Sequence, residues 1–368
     1  MKLFHTGDIH LDSAFVRMSR DGRIAARAHQ RDVFRKMIKY VSDNKFDMLL
    51  ISGDLFDGRN ISPETEECVI ECFSSLDCPV VISPGNHDPF ILTAPYFKER
   101  LPENVSVFNS SEIQVFRFDE LGVQVCGYAF ESSNTYERNP LADFELPSFD
   151  GISILCAHGE LNVMNSRFAP LSEADIERIG FDYAALGHVH TSQITKRGKS
   201  VMAYCGVIEG RAFDELGECG ALEVTVVAGA SAEVNKIIFG ERIYLADTID
   251  VSRSERDLGG YLEEYVASRG YGGETALRLT LVGETDADMD IDTKALEARL
   301  DGRIMYAEVI NKTSPRLNIA QLEGDVTLRG EIYRVLKAEL ECDDPERRRI
   351  AAEALSVALR AVDGREIR

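Results

Sequence analysis

The sequence predicts an α/β protein: a four-layer α-β-β-α sandwich, followed by a smaller α/β capping unit and a helical C-terminal tail. Three observations predict it. Continuous apolar runs within Asp47–Ser52 and Pro79–Ser83 have the character of strands buried on both faces. Stretches with apolar residues at helical spacing alternate with these runs early in the chain. Beyond Val105 the strands multiply, so strand–helix–strand units and a series of β segments must share one core as two packed sheets with helices outside.

The elements follow in order. Lys2–Thr6 is a strand. Ala25–Asp43 places Val33, Met37, Tyr40 and Val41 at 3.6-type spacing and is predicted helical. Pro63, whose fixed φ suits a first helical turn, opens a helix through Leu76 with Ser62 as its N-cap. Pro95–Leu101 has the pattern of a short helix. Strands are expected at Val105–Phe108, Ile113–Phe118, Val123–Tyr128 and Ile152–Ala157, a short helix at Ser172–Ile179, and a strand at Tyr183–Leu186. Hairpin-like strands follow at Ser192–Thr195, Ser200–Tyr204, Ala221–Val227 and Glu233–Phe239. Around Gly240–Arg242 the texture changes to a small α/β unit: strand Ile243–Val251, helix Leu258–Ser268, strand Ala276–Leu281, helix Thr293–Leu300 and strand Tyr306–Ile310. From about Leu322 the chain is helical and highly charged, at Gly330–Leu340 and Pro345–Val362. At 368 residues the chain is too long for one ordinary domain, and these changes divide it into 1–240, 241–322 and 323–368.

Composition narrows the function classes. An apolar fraction of 44% can bury a sizeable core, and no stretch approaches the roughly 20 apolar residues of a membrane helix. Met1–His5 runs straight into a motif without a signal-peptide core, which predicts a soluble cytoplasmic protein. The eight cysteines are scattered without CxxC spacing; Cys68 and Cys72 stand one helical turn apart, and reduced apolar thiols are expected. The net charge is −21, with 19 basic and 27 acidic residues in 241–368 and 22 and 35 in the remainder. Neither part is a basic module, so any polyanion has to be met by local patches, bound cations or a partner.

Five short motifs fall at the ends of predicted buried strands: Gly7-Asp8-Ile9-His10, Gly53-Asp54-Leu55-Phe56-Asp57, Gly85-Asn86-His87-Asp88, Ala157-His158-Gly159-Glu160 and Gly187-His188-Val189-His190. Strand C-terminal ends are where open α/β sheets carry their sites, and glycine there lets the backbone turn sharply. Asp8/His10 and His188/His190 are spaced i, i+2, so each pair starts on one face of an extended segment. Mixed carboxylate and imidazole donors suit borderline metals, Mn, Fe, Zn or Co, better than Mg or Ca. A pair of metals about 3.5–4 Å apart needs a bridging group, and one carboxylate is the economical choice. Singly, each motif reads as an ordinary turn or a satisfied histidine. Together they hold five of the seven histidines in the chain, which a set of unrelated turns does not explain.

The ordered set Asp-x-His, Gly-Asp-x-x-Asp, Gly-Asn-His-Asp, His and Gly-His-x-His resembles the calcineurin-like metallophosphoesterases over roughly residues 1–210. Within them, His5-Thr6-Gly7-Asp8-Ile9-His10-Leu11-Asp12-Ser13 and Gly53-Asp54-Leu55-Phe56-Asp57 are similar to the SbcD-type DNA repair exonucleases, and the His-Leu-Asp-Ser segment to their YhaO-like branch. Tyr204-Cys205-Gly206 followed by Glu209-Gly210-Arg211 is similar to the same branch, with Cys205 where that branch has proline. The resemblance implies that Asp8, His10 and His190 hold one metal, that Asn86, His158 and His188 hold a second, and that Asp54 bridges them. It implies two divalent ions, manganese first and Fe, Zn or Co as alternatives. His87 would sit over the scissile phosphate, oriented and kept protonated by Asp57. His5, His29, Asp12 and Asp88 are left as structural. The chemistry implied is hydrolysis by a metal-bridging hydroxide, since two dications bring the pKa of bound water from about 15.7 towards neutrality.

For substrate, the resemblance implies a DNA exonuclease or endonuclease of the double-strand-break repair type, with 241–322 as a capping domain over DNA and the tail docking an SMC-like coiled-coil ATPase. A homodimer stays open, as do a phosphodiesterase or phosphatase for a small nucleotide and a non-catalytic scaffold. Arg347-Arg348-Arg349 is read as a solvated helix face before a phosphate contact, because Asp343, Asp344 and Glu346 adjoin it.

Overall fold

The computed structural model describes every residue except 17–19, 59, 93, 98–100, 133–135, 253–256, 287–290, 317, 318 and 365–368. The chain forms two compact units, Met1–Ile243 and Tyr244–Arg368.

In the first unit, one six-stranded sheet runs Glu233–Ile238, Gly220–Thr225, Lys2–Thr6, Met48–Ile51, Val80–Ile82, Val105–Val107. The other runs Gln193–Arg197, Ser200–Tyr204, Tyr183–Gly187, Ile152–His158, Val123–Gly127, Gln114–Phe118. Each sheet has a core of four parallel strands with antiparallel strands at its margins. The Met48–Ile51 strand shows why its sequence is apolar throughout. Met48 and Leu50 pack between the sheets against Val125, Ile154 and Ala185. Leu49 and Ile51 face the other way, onto the helices Arg20–Asp43 and Pro63–Ser74 through Phe34, Met37, Val69 and Phe73. The outer face of the second sheet, with Leu155, Ala184 and Leu186, is covered by Ile176 of the helix Glu173–Ile179. This is the expected four-layer sandwich.

Several local expectations shift. The first helix begins at Arg20, one turn before Ala25. At Pro95–Leu101 the described residues form only a 3-10 turn, Pro95–Phe97, and 98–100 lie outside the described residues. Ser62 holds the extended N-cap position of its helix, but its hydroxyl bonds to Asp12 and Thr65 rather than to the helix backbone.

In the second unit, a three-stranded sheet orders Ile243–Asp250, Thr275–Val282 and Tyr306–Asn311, and Leu277, Leu279 and Leu281 pack with Leu262, Val266, Leu296 and Leu300 of the helices Leu258–Ser268 and Thr293–Leu300. A two-stranded ribbon, Glu284–Asp286 with Ser314–Arg316, was not foreseen; segments of three residues carry too little alternation to be read. Helices Leu328–Leu340 and Pro345–Val362 share a small core of Tyr333, Leu355 and Leu359. Asp344 caps the second, accepting from the backbone N–H groups of Glu346 and Arg347. Arg347 pairs with Glu339, and Arg349 with Glu346 and Glu353, on the exposed face. The eight cysteines are free thiols. Among the described residues, no helix is long and apolar enough to cross a membrane.

Candidate metal centre

All five motifs lie at the C-terminal ends of parallel strands, where the two sheets present the same end of the sandwich. The loops after Lys2–Thr6 and Met48–Ile51 are laced together by backbone hydrogen bonds, Asp8 to Gly53 at 3.0 Å, His10 to Asp54 at 2.9 Å and Leu11 to Leu55 at 2.9 Å. Asp8, His10, Asp54 and His188 adopt positive φ of 48°, 50°, 49° and 98°. Such conformations cost on the order of 1–3 kcal/mol each and persist only where surroundings over-determine them. Gly53, at φ 96°, sits so close to His158 that a Cβ would fall 2.2 Å from its Nδ1. The turn that aims the Asp54 carboxylate is therefore open only to glycine.

The side chains converge. Asp8, His10 and His190 bring their donor atoms within 4.8 Å of one another, as do His10, Asp54 and His87, and Asp8, Asp54 and His158. His158 Nε2 lies 3.0 Å and His188 Nδ1 3.2 Å from the Asn86 side-chain oxygen. Asp54 is central: its Oδ2 is 3.4 Å from His158 Nε2 and 3.7 Å from His10 Nε2, and its Oδ1 accepts from the His87 backbone at 2.9 Å. All seven residues expected to hold metals thus meet in one hollow.

Charge and tautomer show what the hollow is shaped for. Asp8 and Asp54 are each only 1% exposed, and burial, then the Asp54 carboxylate, push the Asp8 carboxyl well above its usual range. Burial likewise lowers His158 to about 3 and His10 to about 4, so these rings are neutral. An acceptor stands behind each ring. His10 Nδ1 faces Asp57 Oδ1 at 3.3 Å, His190 Nδ1 faces Glu215 Oε1 at 2.8 Å, and His158 Nδ1 faces the Ser52 carbonyl at 3.0 Å. His188 turns Nε2 to Glu160 at 3.5 Å. With the proton on the outer nitrogen, each inner nitrogen would offer its lone pair to the hollow. His10 Nε2 and His190 Nε2 lie 3.3 Å apart. Carboxylates and imidazoles gathered this closely, with donor atoms within 4.8 Å of one another, are relieved by bound cations, so the residues fit a pair of metal ions.

His87 is placed differently. Its side chain is 46% exposed, and Nδ1 lies 2.9 Å from Asp57 Oδ1. That hydrogen bond, against burial, raises its pKa above the usual 6.5. Burial alone would raise Asp57, but hydrogen bonds from His10 and His87 hold it well below the carboxylate range. His87 is thus a half-exposed imidazole, its pKa raised by Asp57, at the mouth of the hollow.

A profile of the calcineurin-like phosphoesterases matches residues 1–192, more than half of the chain. The chain belongs to the calcineurin-like phosphoesterases. The donor set is in keeping with a family of metal-dependent phosphoesterases. Among its relatives, the uncharacterized metallophosphoesterase YhaO of Bacillus subtilis is 28% identical over 240 residues, 62% of this chain and 58% of that protein. The SbcD component of the nuclease SbcCD of Bacillus subtilis is 27% identical over 278 residues, 63% of this chain and 67% of that protein. The DNA double-strand break repair protein Mre11 of Aeropyrum pernix is 23% identical over 269 residues, 68% of this chain and 64% of that protein. The match thus spans less than two-thirds of the length of YhaO and of this Mre11.

The residues left as structural are so in the fold. His5 sits between Tyr183 Oη at 2.8 Å and Ser52 Oγ at 2.9 Å, and His29 pairs with Glu209. Asp12 accepts from Ser62 and Thr65, while Asp88 takes the Gly85 and Phe56 backbone N–H groups and stiffens the turn that carries Asn86 and His87. Sequence reasoning missed Glu215, Arg211 and Glu160 as partners of the centre. Glu160 adjoined a motif histidine and could have been weighed. Glu215 follows no strand-end glycine, and only its four-residue spacing from Arg211 hinted at a pair. A cavity of about 790 Å³ opens at the other end of the first sheet, lined by Lys45, Asp47, Asp77 and Glu103. It gathers no imidazole, so the chemistry is assigned to the strand C-terminal ends.

Proposed function

We propose that this chain is a two-metal phosphodiesterase acting on DNA, a nuclease of the double-strand-break repair type. The observation that carries the hydrolase part is the convergence of carboxylate and imidazole donors in one hollow with His87 at its mouth. Asp8, His10 and His190 would hold one ion, Asn86, His158 and His188 the other, and Asp54 both. Manganese leads, with Fe, Zn or Co as alternatives, because imidazole and carboxylate donors are mixed. When bound, the ions supply an activated water and neutralise the phosphoryl oxygens.

The chain's own residues do the rest. Asp8, Asp54 and the neutral imidazoles fix the geometry of the pocket before substrate arrives, held by the acceptors behind them. His87, kept protonated by Asp57, offers its Nε2–H to a phosphoryl oxygen or to the leaving oxygen. No side chain has to form a covalent bond to phosphorus.

Support for DNA comes from the names of the relatives SbcCD and Mre11, and from the additional α/β segment, 241–322, read as a capping domain. The tail, 323–368, then serves to dock an SMC-like coiled-coil ATPase. The net charge of −21 favours a second reading, a small nucleotide or other small phosphoester as substrate. Turnover of an aryl phosphodiester and of end-labelled single- and double-stranded DNA, each with and without manganese, separates them. Manganese-dependent DNA cleavage is the expected result; turnover of the aryl ester with DNA intact would leave only the small-substrate reading.

A further inference from the structure

The four imidazoles of the hollow differ in what stands behind them. His158 leans on a backbone carbonyl, and His188 faces Glu160, whose side chain is 30% exposed. His190 instead meets Glu215, whose side chain is 3% exposed. Arg211 grips that carboxylate: its backbone N–H donates to Oε2 at 2.8 Å, its Nε reaches both oxygens at 3.2 Å, and its Nη2 donates to Oε1. The remaining nitrogen, Nη1, donates to Ser13 Oγ at 3.2 Å, and that hydroxyl donates to the His10 carbonyl at 2.8 Å. One guanidinium–carboxylate pair therefore ties the loop bearing His190 to the loop bearing His10. As a source of fold stability alone such a pair is a poor choice, because desolvating two charges offsets most of their attraction.

We propose that Arg211 and Glu215 are positioning residues for the metal position formed by Asp8, His10 and His190, and set its affinity separately from the position formed by Asn86, His158 and His188. The proposal rests on the two-metal reading above. A carboxylate on Nδ1–H holds the ring in the tautomer whose Nε2 lone pair points into the hollow, and makes that nitrogen a better donor. The planar fork of Arg211 fixes the carboxylate in turn, and through Ser13 it restrains the His10 segment. His158 and His188 have their own acceptors, so disturbing Glu215 leaves them in place.

Manganese binding to the purified full chain, stripped of metal by a chelator and followed by calorimetry, tests this. The native chain should show two binding events. Glu215→Gln keeps the volume and loses the charge, and should weaken one event by about 10–100-fold while the other moves less than about threefold. Glu215→Ala should do at least as much. Arg211→Lys keeps a charge without the fork and should weaken the same event by about tenfold. Two unchanged events in Glu215→Gln, or equal weakening of both, would overturn the proposal. If the Glu215 variants do not fold, the same two outcomes in Arg211→Lys decide. A native chain that binds fewer than two manganese ions would sink the two-metal reading itself, and this proposal with it.

Discussion

Asp57 serves two histidines at once, and that sharing divides the labour of the hollow. To His10 it is the acceptor behind a buried ring; to His87 it is the carboxylate that raises the pKa of an exposed ring. His87→Gln should bind manganese as the native chain does and lose turnover by about a hundredfold or more; native turnover would reject its role. His5 provides a prediction about stability. It is fully buried, and burial lowers its pKa from 6.5 to about 3. Below pH 6.5 the unfolded chain takes up a proton there that the folded chain refuses until about pH 3. The contribution of His5 is thus complete above pH 6.5 and lost as pH falls, by about 1.4 kcal/mol per pH unit. In urea titrations between pH 7 and 5, His5→Gln should show a shallower decline of stability than the native chain; parallel curves would contradict this.

At the scale of elements, the parallel strands do two jobs with one sequence pattern. Met48–Ile51 is apolar throughout because helices cover one face and a second sheet the other. The polar motif begins where that cover ends. This made the strands, the order of the motifs and Asp8, His10, Asp54, Asn86, His87, His158, His188 and His190 legible in the sequence. What stayed hidden had no periodicity or spacing to give it away. The Ser52 carbonyl behind His158 is a backbone group, and Glu215 reaches His190 only through the folded course of its loop. Ser62 looked like a cap by type, but Asp12 draws its hydroxyl away. The Gly53 turn can be tested against a control. Gly53→Ala forces a Cβ into His158, whereas Gly58, at φ 129°, faces open space. Both changes to alanine should cost about 1 kcal/mol or more in backbone strain. Only Gly53→Ala should also weaken manganese binding, by about tenfold or more; equal affinities in the two variants would show that the turn does not position the centre.

Over the whole molecule, the charge distribution and the centre answer the same problem from opposite sides. A chain of net charge −21 repels phosphate at long range, and it buries two of its carboxyl groups, Asp8 and Asp54, where a phosphate ester is proposed to react. Cations held in that hollow would reverse the local sign, so on the proposed function metal binding would serve catalysis and recognition together. Met1–Ile243 contains every residue assigned to that task. The central claim is that Asp8, Asp54 and the inward-facing nitrogens enclose two ions. Anomalous diffraction from crystals of the full chain grown with manganese measures this directly. Two peaks about 3.5–4 Å apart are expected, with Asp54 between them and His87 bound to neither. One peak, or two that do not share Asp54, would contradict it.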